Sequence, residues 1–181
     1  MKEIDTLIQW ILESKKIVFF GGAGVSTESG LKDFRSRDGL YNEQYDYPPE
    51  EILSHTFFLN HPEEFFRFYK EKLNTEGFLP NITHQVLSIL EKQGKLQCVI
   101  TQNIDGFHQM AGSKNVLELH GSIHRNHCMD CGKIYDSQFV FHSLGVPKCS
   151  CGGIIKPDVV LYGEAWFMIY QSILQLNFGK E

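Results

Sequence analysis

Four of the five cysteines in this 181-residue chain fall into two close pairs. Cys128 and Cys131 are spaced C-x2-C, and after a run of ribbon-like length Cys149 and Cys151 are spaced C-x-C. Four thiolates in two such pairs suit tetrahedral zinc. Four cysteine ligands fill the coordination shell, so the metal they imply is structural and has no open position for water. The short second spacing leaves His124 or His127 as an alternative ligand. The fifth thiol, Cys98, lies in an apolar stretch and reads as core.

A second set follows the apolar run "KIVFF" in "GGAGVSTESGLKDFRS". Gly22 and Gly24 match the first glycines of the dinucleotide-binding pattern G-x-G-x-x-G, but Thr27 stands at its third position. Such a turn has two readings. Its backbone N–H groups, helped by the Ser26 and Thr27 hydroxyls, would cradle a phosphate, or it is a tight strand-to-helix connection without a ligand. The loop runs on into Asp33, Phe34 and Arg35, where a plain turn would already be helix. A third set, Gln102, Asn103 and Asp105, puts two amides and a carboxylate just after "LQCVI". These groups suit ribose hydroxyls and a carboxamide, or else form an ordinary turn rich in Asn, Asp and Gly. His120, in "LELHGS", adds an imidazole, a side chain suited to taking up and releasing a proton.

The elements that must position these groups read as α/β. "KIVFF" and "LQCVIT" (96–101) are short buried strands of a parallel sheet, whose ligand crevice lies beyond the strands' carboxyl ends. Ile4, Leu7, Ile8, Ile11 and Leu12 recur on one face of an N-terminal helix. A helix-rich insert separates the two strands, with Pro62 at a helix start ahead of Phe65, Phe66, Phe68 and Tyr69 as core. "THQVLSILEKQG" reads as a helix with Thr83 as N-cap, Val86, Leu87 and Leu90 inward, and Gly94 past its end. His55, His61 and His84 read as caps or packed residues. The net charge of −5 and the lack of a Lys/Arg run argue against nucleic acid as partner, and a basic peptide is more natural. No apolar run has membrane-spanning length, and the chain reads as cytoplasmic with its thiols reduced or metal-bound.

In this order, "GAGVSTESGLKDFRS", "TQNID", "LELHGS" and the four-cysteine module resemble the sirtuins, NAD-consuming protein-lysine deacylases. The resemblance runs from about Ser14 to Glu164 and includes "KPDVVLYGE". It implies a Rossmann-like parallel sheet, a helical insert (44–75) and a zinc module (123–154), with residues 1–43, 76–122 and 155–181 forming the NAD-binding part. It also implies that NAD is consumed as a co-substrate. Gly22, Ala23, Gly24, Thr27, Asp33 and Arg35 would contact it near its phosphates and ribose, and Phe34 would shield the reactive ribose from water. Gln102 and Asn103 would bind the nicotinamide ribose, and Ile104 and Asp105 the carboxamide. His120 would be the general base, with Asn103 beside it in the chemistry. The acetyl-lysine oxygen would attack the ribose carbon as nicotinamide leaves, and a ribose hydroxyl would then attack the imidate. The products would be free lysine, nicotinamide and O-acetyl-ADP-ribose. An acetyl-lysine peptide would add as a strand beside Val160, Tyr162, Gly163 and Glu164. Sirtuins that prefer acidic acyl groups carry a Tyr-x-x-Arg pair; Tyr69 with Lys72 is the nearest match, and a lysine is not a bidentate fork, which favours acetyl-lysine.

Two departures stand out. Lys32 occupies the place of a usual proline before Asp33. After Glu164 the chain reads "AWFMIYQSILQLNFGKE", without the family's later strands or its "GTS" loop, which reads as a truncated or frameshifted end. The sheet is then expected to be incomplete on its C-terminal side. Two functional classes follow: an NAD-dependent deacetylase, or a catalytically incompetent zinc-bearing fragment that binds nucleotide or protein weakly.

Overall fold

The computed structural model describes residues 2–34, 36, 39–42 and 45–164. Helix α1 (Lys2–Glu13) leads into strand β1 (Ile17–Gly21), which ends in a 3-10 turn over Ala23–Ser29. The insert follows as α2 (Pro49–Ile52), α3 (His55–Asn60) and α4 (Pro62–Lys72). Helix α5 (Ile82–Lys92) returns the chain to β2 (Leu96–Thr101), and α6 (Phe107–Met110) connects β2 to β3 (Val116–Glu118). Strands β4 (Gly121–Cys128), β5 (Ile134–Tyr135) and β6 (Ile155–Val159) complete the order, with α7 (Ser137–His142) between the last two. The first three strands form a parallel sheet ordered β1-β2-β3, and the others an antiparallel sheet ordered β5-β4-β6.

The insert builds the larger core. Pro62 starts α4, and its aromatics Phe65, Phe66, Phe68 and Tyr69 are all buried. They pack edge to face or stacked, with Phe65 and Phe66 centroids 5.2 Å apart and Tyr69 5.4 Å from Phe141. The same cluster takes in Ile123, Cys128, Val140, Cys149 and Ile155, so insert and four-cysteine region share one core. The Lys70 ammonium fastens them further by donating to the Ser143 and Gly145 carbonyls at 2.6 and 2.7 Å.

The cap of helix α5 lies two residues before the expected one. Asn81, not Thr83, is the N-cap: its side-chain oxygen accepts from the Thr83 amide at 3.0 Å, and its own amide donates to His84 Nδ1 at 3.3 Å. Its side-chain NH2 also reaches the Val25 carbonyl at 2.7 Å, which ties the helix start to the glycine turn. Leu87 and Leu90 pack toward β2, whereas Val86 is exposed, because the covered stripe of α5 is narrower than its apolar one.

The strand β1 is covered on one face only. Ile17 and Phe19 pack against the Leu87–Leu96–Val99 cluster, while Val18 and Phe20 alternate to the other face and are exposed. Ile4, Leu7, Ile8 and Leu12 of α1 are likewise exposed among the described residues. Strand β2 matches its expected span, and Cys98 is buried within it.

Truncation of a fully enclosed aromatic leaves a cavity as well as losing transfer energy. Phe65→Ala is expected to cost about 3–5 kcal/mol in denaturant-induced unfolding, while Leu144→Ala at an exposed position stays within about 0.5 kcal/mol.

Candidate active site and metal centre

Because β1, β2 and β3 are parallel, their carboxyl ends lie on one edge of the sheet. The segments leaving them are the glycine turn, Gln102–Asp105 and Leu119–His120, joined by Gln102 N–H to Gly21 O and Leu119 N–H to Thr101 O, both 2.9 Å. Ser26 links the first two from inside. Its hydroxyl donates to Asp105 Oδ2 at 2.6 Å and accepts from Asn103 Nδ2 at 3.0 Å, all three residues being buried. Asp105 Oδ1 accepts from the Phe107 amide at 2.9 Å, and the Asn103 amide donates to Thr101 Oγ1 at 3.0 Å. The Ser26 hydroxyl is therefore committed within the protein. The Thr27 hydroxyl, on the outer side of the turn, donates to the Gly24 carbonyl at 2.9 Å.

These segments wall a cleft of about 540 Å³. Ala23, Gly24, Asp33, Phe34, Gln102, Asn103, Ile104, Asp105 and His120 line it, facing Val160, Tyr162, Gly163 and Glu164. Gly22 and Thr27 stand outside that wall, Gly22 close against the Gln102 side chain. Arg35 lies outside the described residues. Sequence reasoning did not single out Leu31, Leu40, Tyr41, Leu53 and Thr75, which also line the cleft and carry no spacing signal. A second hollow of about 690 Å³, lined by Tyr45, Asp46, Tyr47, Arg67 and Glu71, lies on the insert away from the strand ends.

His120 is held by both its main chain and its ring. Its carbonyl accepts from the Val160 amide at 3.0 Å, and its Nδ1 lies 2.9 Å from the Gln102 carbonyl. A carbonyl only accepts, so Nδ1 carries the hydrogen and Nε2 keeps its lone pair as a base. Gly121 follows because β4 and β6 approach closely there: a Cβ would lie 1.8 Å from the Asp158 carbonyl oxygen.

The opposite wall is built by Glu164. Its carboxylate accepts from the Leu161 amide at 2.8 Å and meets His55 Nδ1 at 2.7 Å and Lys156 Nζ at 3.1 Å. Burial opposes its charge, but the Leu161 amide, His55 and Lys156 together hold the carboxyl below its ordinary value. The Tyr162 main chain pairs with the insert through Leu53 O and His55 N–H. Strand alternation then turns the backbone of residues 161 and 163 the other way. The Tyr162 and Tyr41 hydroxyls meet across the cleft mouth.

Tyr69 and Lys72 do not act as a pair in this cleft. Tyr69 is enclosed in the aromatic core, its hydroxyl without a hydrogen-bond partner among the described residues, whereas Lys72 lines the cleft with its ammonium 5.3 Å from the Tyr45 ring centre.

Behind the Asp105 loop lie two buried imidazoles, His84 and His108, with centroids 4.7 Å apart. Burial and the neighbouring His84 bring His108 down to about 4, against the pull of Asp105. His84 is a cap, as expected, and is also lowered by burial. His61 packs between Tyr47 and Phe57, and His55 serves the Glu164 knot.

The four-cysteine set converges. The Sγ atoms of Cys128, Cys131, Cys149 and Cys151 all lie within 4.8 Å of one another, with closest pairs at 3.4, 3.5 and 3.6 Å. Tetrahedral zinc with Zn–S bonds of about 2.3 Å needs sulfurs roughly 3.8 Å apart, so the set fits. The Cys151 amide and the Tyr135 hydroxyl lower the Cys149 thiol to about 5, toward thiolate. Gly153 carries no Cβ because one would meet Cys128 Sγ at 2.7 Å. His124 and His127 stand apart from the set: His127 pairs with Asp158 and His124 bonds the Asp105 carbonyl.

A parallel sheet with a polar cleft at its strand ends, joined to a four-thiol metal module, defines a nucleotide-binding α/β protein with structural zinc. The Sir2 family model matches residues 22–177, and the chain belongs to that family. A Clostridium acetobutylicum protein named NAD-dependent protein deacetylase is 59% identical over 179 residues, covering 97% of this chain and 72% of that protein. A protein of the same name from Clostridium perfringens is 59% identical over 165 residues, covering 90% of this chain and 68% of its own length. Among solved structures, a Sir2 protein with a deacetylated p53 peptide and 3'-O-acetyl ADP ribose aligns with TM-score 0.82 at 36% identity, over 93% of this chain and 70% of that one. A Sir2 homologue bound to NAD aligns with TM-score 0.76 at 40% identity, over 89% and 62%. No helix among the described residues is long and apolar enough to cross a membrane.

Metal analysis of the purified chain is expected to give one zinc per chain, lost in Cys131→Ser together with a fall in melting temperature; a strong chelator reproduces that fall. Between about pH 4 and 6.5 the unfolded chain binds the proton that folded His108 refuses, so stability falls as pH drops through this window. His108→Gln is expected to flatten this slope in denaturation midpoints measured across pH.

Proposed function

We propose that this chain removes acetyl groups from protein lysine side chains, consuming NAD and releasing nicotinamide and O-acetyl-ADP-ribose. The observation that carries the reading is that His120 lines one cleft with the Ser26–Asn103–Asp105 knot and the 160–164 segment, its Nδ1 being taken by the Gln102 carbonyl. The relatives' names and the peptide and nucleotide seen with the Sir2 structures support the same chemistry.

NAD would supply a ribose carbon that bonds to the acetyl-lysine oxygen as its bond to nicotinamide breaks and nicotinamide departs, with a water consumed later to release the free lysine. Ala23 and Gly24, at the start of the turn, offer main-chain N–H groups to its phosphates, with Gly22 shaping the turn. Asp33 orders the loop by accepting the Ser36 amide at 2.8 Å, and Phe34, packed 5.5 Å from the Tyr41 ring, keeps water from the ribose. The resemblance adds Arg35 and Thr27 to the cofactor-contacting set, Thr27 bracing the turn through the Gly24 carbonyl. Gln102 and Asn103 bind the ribose, and Ile104 and Asp105 the carboxamide. His120 takes the proton from a ribose hydroxyl at Nε2, the nitrogen left bare by the Gln102 bond. The peptide lies along Val160, Tyr162, Gly163 and Glu164, with Glu164 acting through its hold on the Leu161 amide. Zinc is structural. Residues 1–43, 76–122 and 155–181 form the NAD-binding part, 44–75 the insert and 123–154 the zinc module; the compartment is the cytoplasm.

The test is mass spectrometry of an acetyl-lysine peptide incubated with NAD and the purified chain. Deacetylation with O-acetyl-ADP-ribose is expected, falling at least about 100-fold in His120→Ala with the fold unchanged. Folded, zinc-loaded protein that binds ADP-ribose without releasing nicotinamide would replace this reading with a nucleotide-binding one.

A further inference from the structure

We infer that His124 is a positioning residue for the reaction proposed above: its imidazole clamps the Ile104–Gly106 main chain and so fixes the carboxamide end of the cleft. The inference rests on that reading for its function and on geometry for the clamp. His124 Nε2 lies 2.9 Å from the Asp105 carbonyl oxygen, and Nδ1 lies 3.3 Å from Ser137 Oγ. Since the carbonyl can only accept, Nε2 carries the hydrogen and Nδ1 accepts from the Ser137 hydroxyl. Ser137 is itself fixed as the first residue of α7, whose N-cap Asp136 accepts the Phe139 amide at 2.8 Å.

The ring also lies flush on Gly106. That residue has φ +73°, and a Cβ there would fall 2.6 Å from the imidazole Cδ2 and 2.7 Å from Nε2. One residue earlier on the same strand, the Ile123 amide donates to the Ile104 carbonyl at 3.1 Å. The loop is thus gripped from two sides. Ser26 and the Phe107 amide hold the Asp105 carboxylate, while β4 holds the Ile104 and Asp105 carbonyls. Removing the imidazole releases one side of that grip beside Asp105 and leaves Gly106, the residue with the least backbone restraint, as a pivot. His124 is exposed, so its loss acts on the loop more than on global stability.

Three variants separate the contributions. His124→Ala removes the hydrogen bond and the packing, His124→Phe keeps a ring over Gly106 without donating, and His124→Gln keeps an amide donor. The first readout, independent of turnover, is hydrogen–deuterium exchange of the segment 102–107. It is expected to accelerate about tenfold in His124→Ala, less in His124→Phe, and to return toward the unsubstituted rate in His124→Gln. The second is kinetic: KM for NAD and the nicotinamide concentration for half-inhibition are expected to rise about threefold or more in His124→Ala, with KM for the acetyl-lysine peptide unchanged. Exchange in His124→Ala indistinguishable from the unsubstituted chain would overturn the clamp. Faster exchange with NAD and nicotinamide constants unmoved would overturn the positioning role. An unsubstituted chain without deacetylase activity would strike the functional reading instead, and the exchange rates would still decide the clamp.

Discussion

The site depends on one buried hydroxyl. Ser26 comes from the first strand's turn, yet its hydrogen-bond partners Asn103 and Asp105 lie 77 and 79 residues further along the chain. A buried carboxylate without partners would cost several kcal/mol and would neutralise itself instead. Ser26 and the Phe107 amide remove that cost, and in doing so they fix the separation of two loops that share no strand pairing of their own. Everything else in the cleft is arranged around this spacing: the Asn103 amide, the direction of the Asp105 carboxylate and the reach of His120 from the neighbouring strand end.

The antiparallel sheet extends this order outward. Strand β4 begins directly after His120 and ends at Cys128, so one short strand spaces the proposed general base from a thiol of the four-cysteine set. Its partner β6 runs from Ile155 to Val159 and delivers the 160–164 segment to the opposite wall. The zinc module thus braces both sides of the cleft through main-chain pairing, although no thiolate faces the reaction. The shared aromatic core and the Lys70 contacts bind the insert into the same unit.

Much of this was legible in the residues. The four cysteines, the strand 96–101, the aromatics of α4 and the motif segments at the strand ends announce themselves by spacing, and these are the features in which local chemistry and tertiary position agree. What was not legible depended on which face of an element meets a neighbour. Periodicity marks Val86 as apolar but not that α5 buries a narrower stripe, and it marks "KIVFF" as a strand but not that Val18 and Phe20 face away from the packed side. Asn81 and Thr83 are both able caps, and only the reach of Asn81 to Val25 selects between them. Ser26 entered only one of two readings of the turn, as a helper to a phosphate, because nothing local reveals a carboxylate from a distant loop. Tyr69 resembled half of an acyl-reading pair, whereas helical geometry turns it into the core, and of the two only Lys72 lines the cleft.

Gly106 carries a consequence for how this cleft can diversify. Its left-handed backbone and the imidazole against it close the position to any side chain. With Asn103 and Asp105 committed on both sides, the floor of the cleft admits almost no drift. The remaining freedom lies in the outer rim, where Leu31, Lys32, Tyr41, Lys72 and Thr75 border the same space. Divergence toward new acyl chains or peptide sequences therefore has to accumulate along that rim, while the chemistry beneath it stays the same.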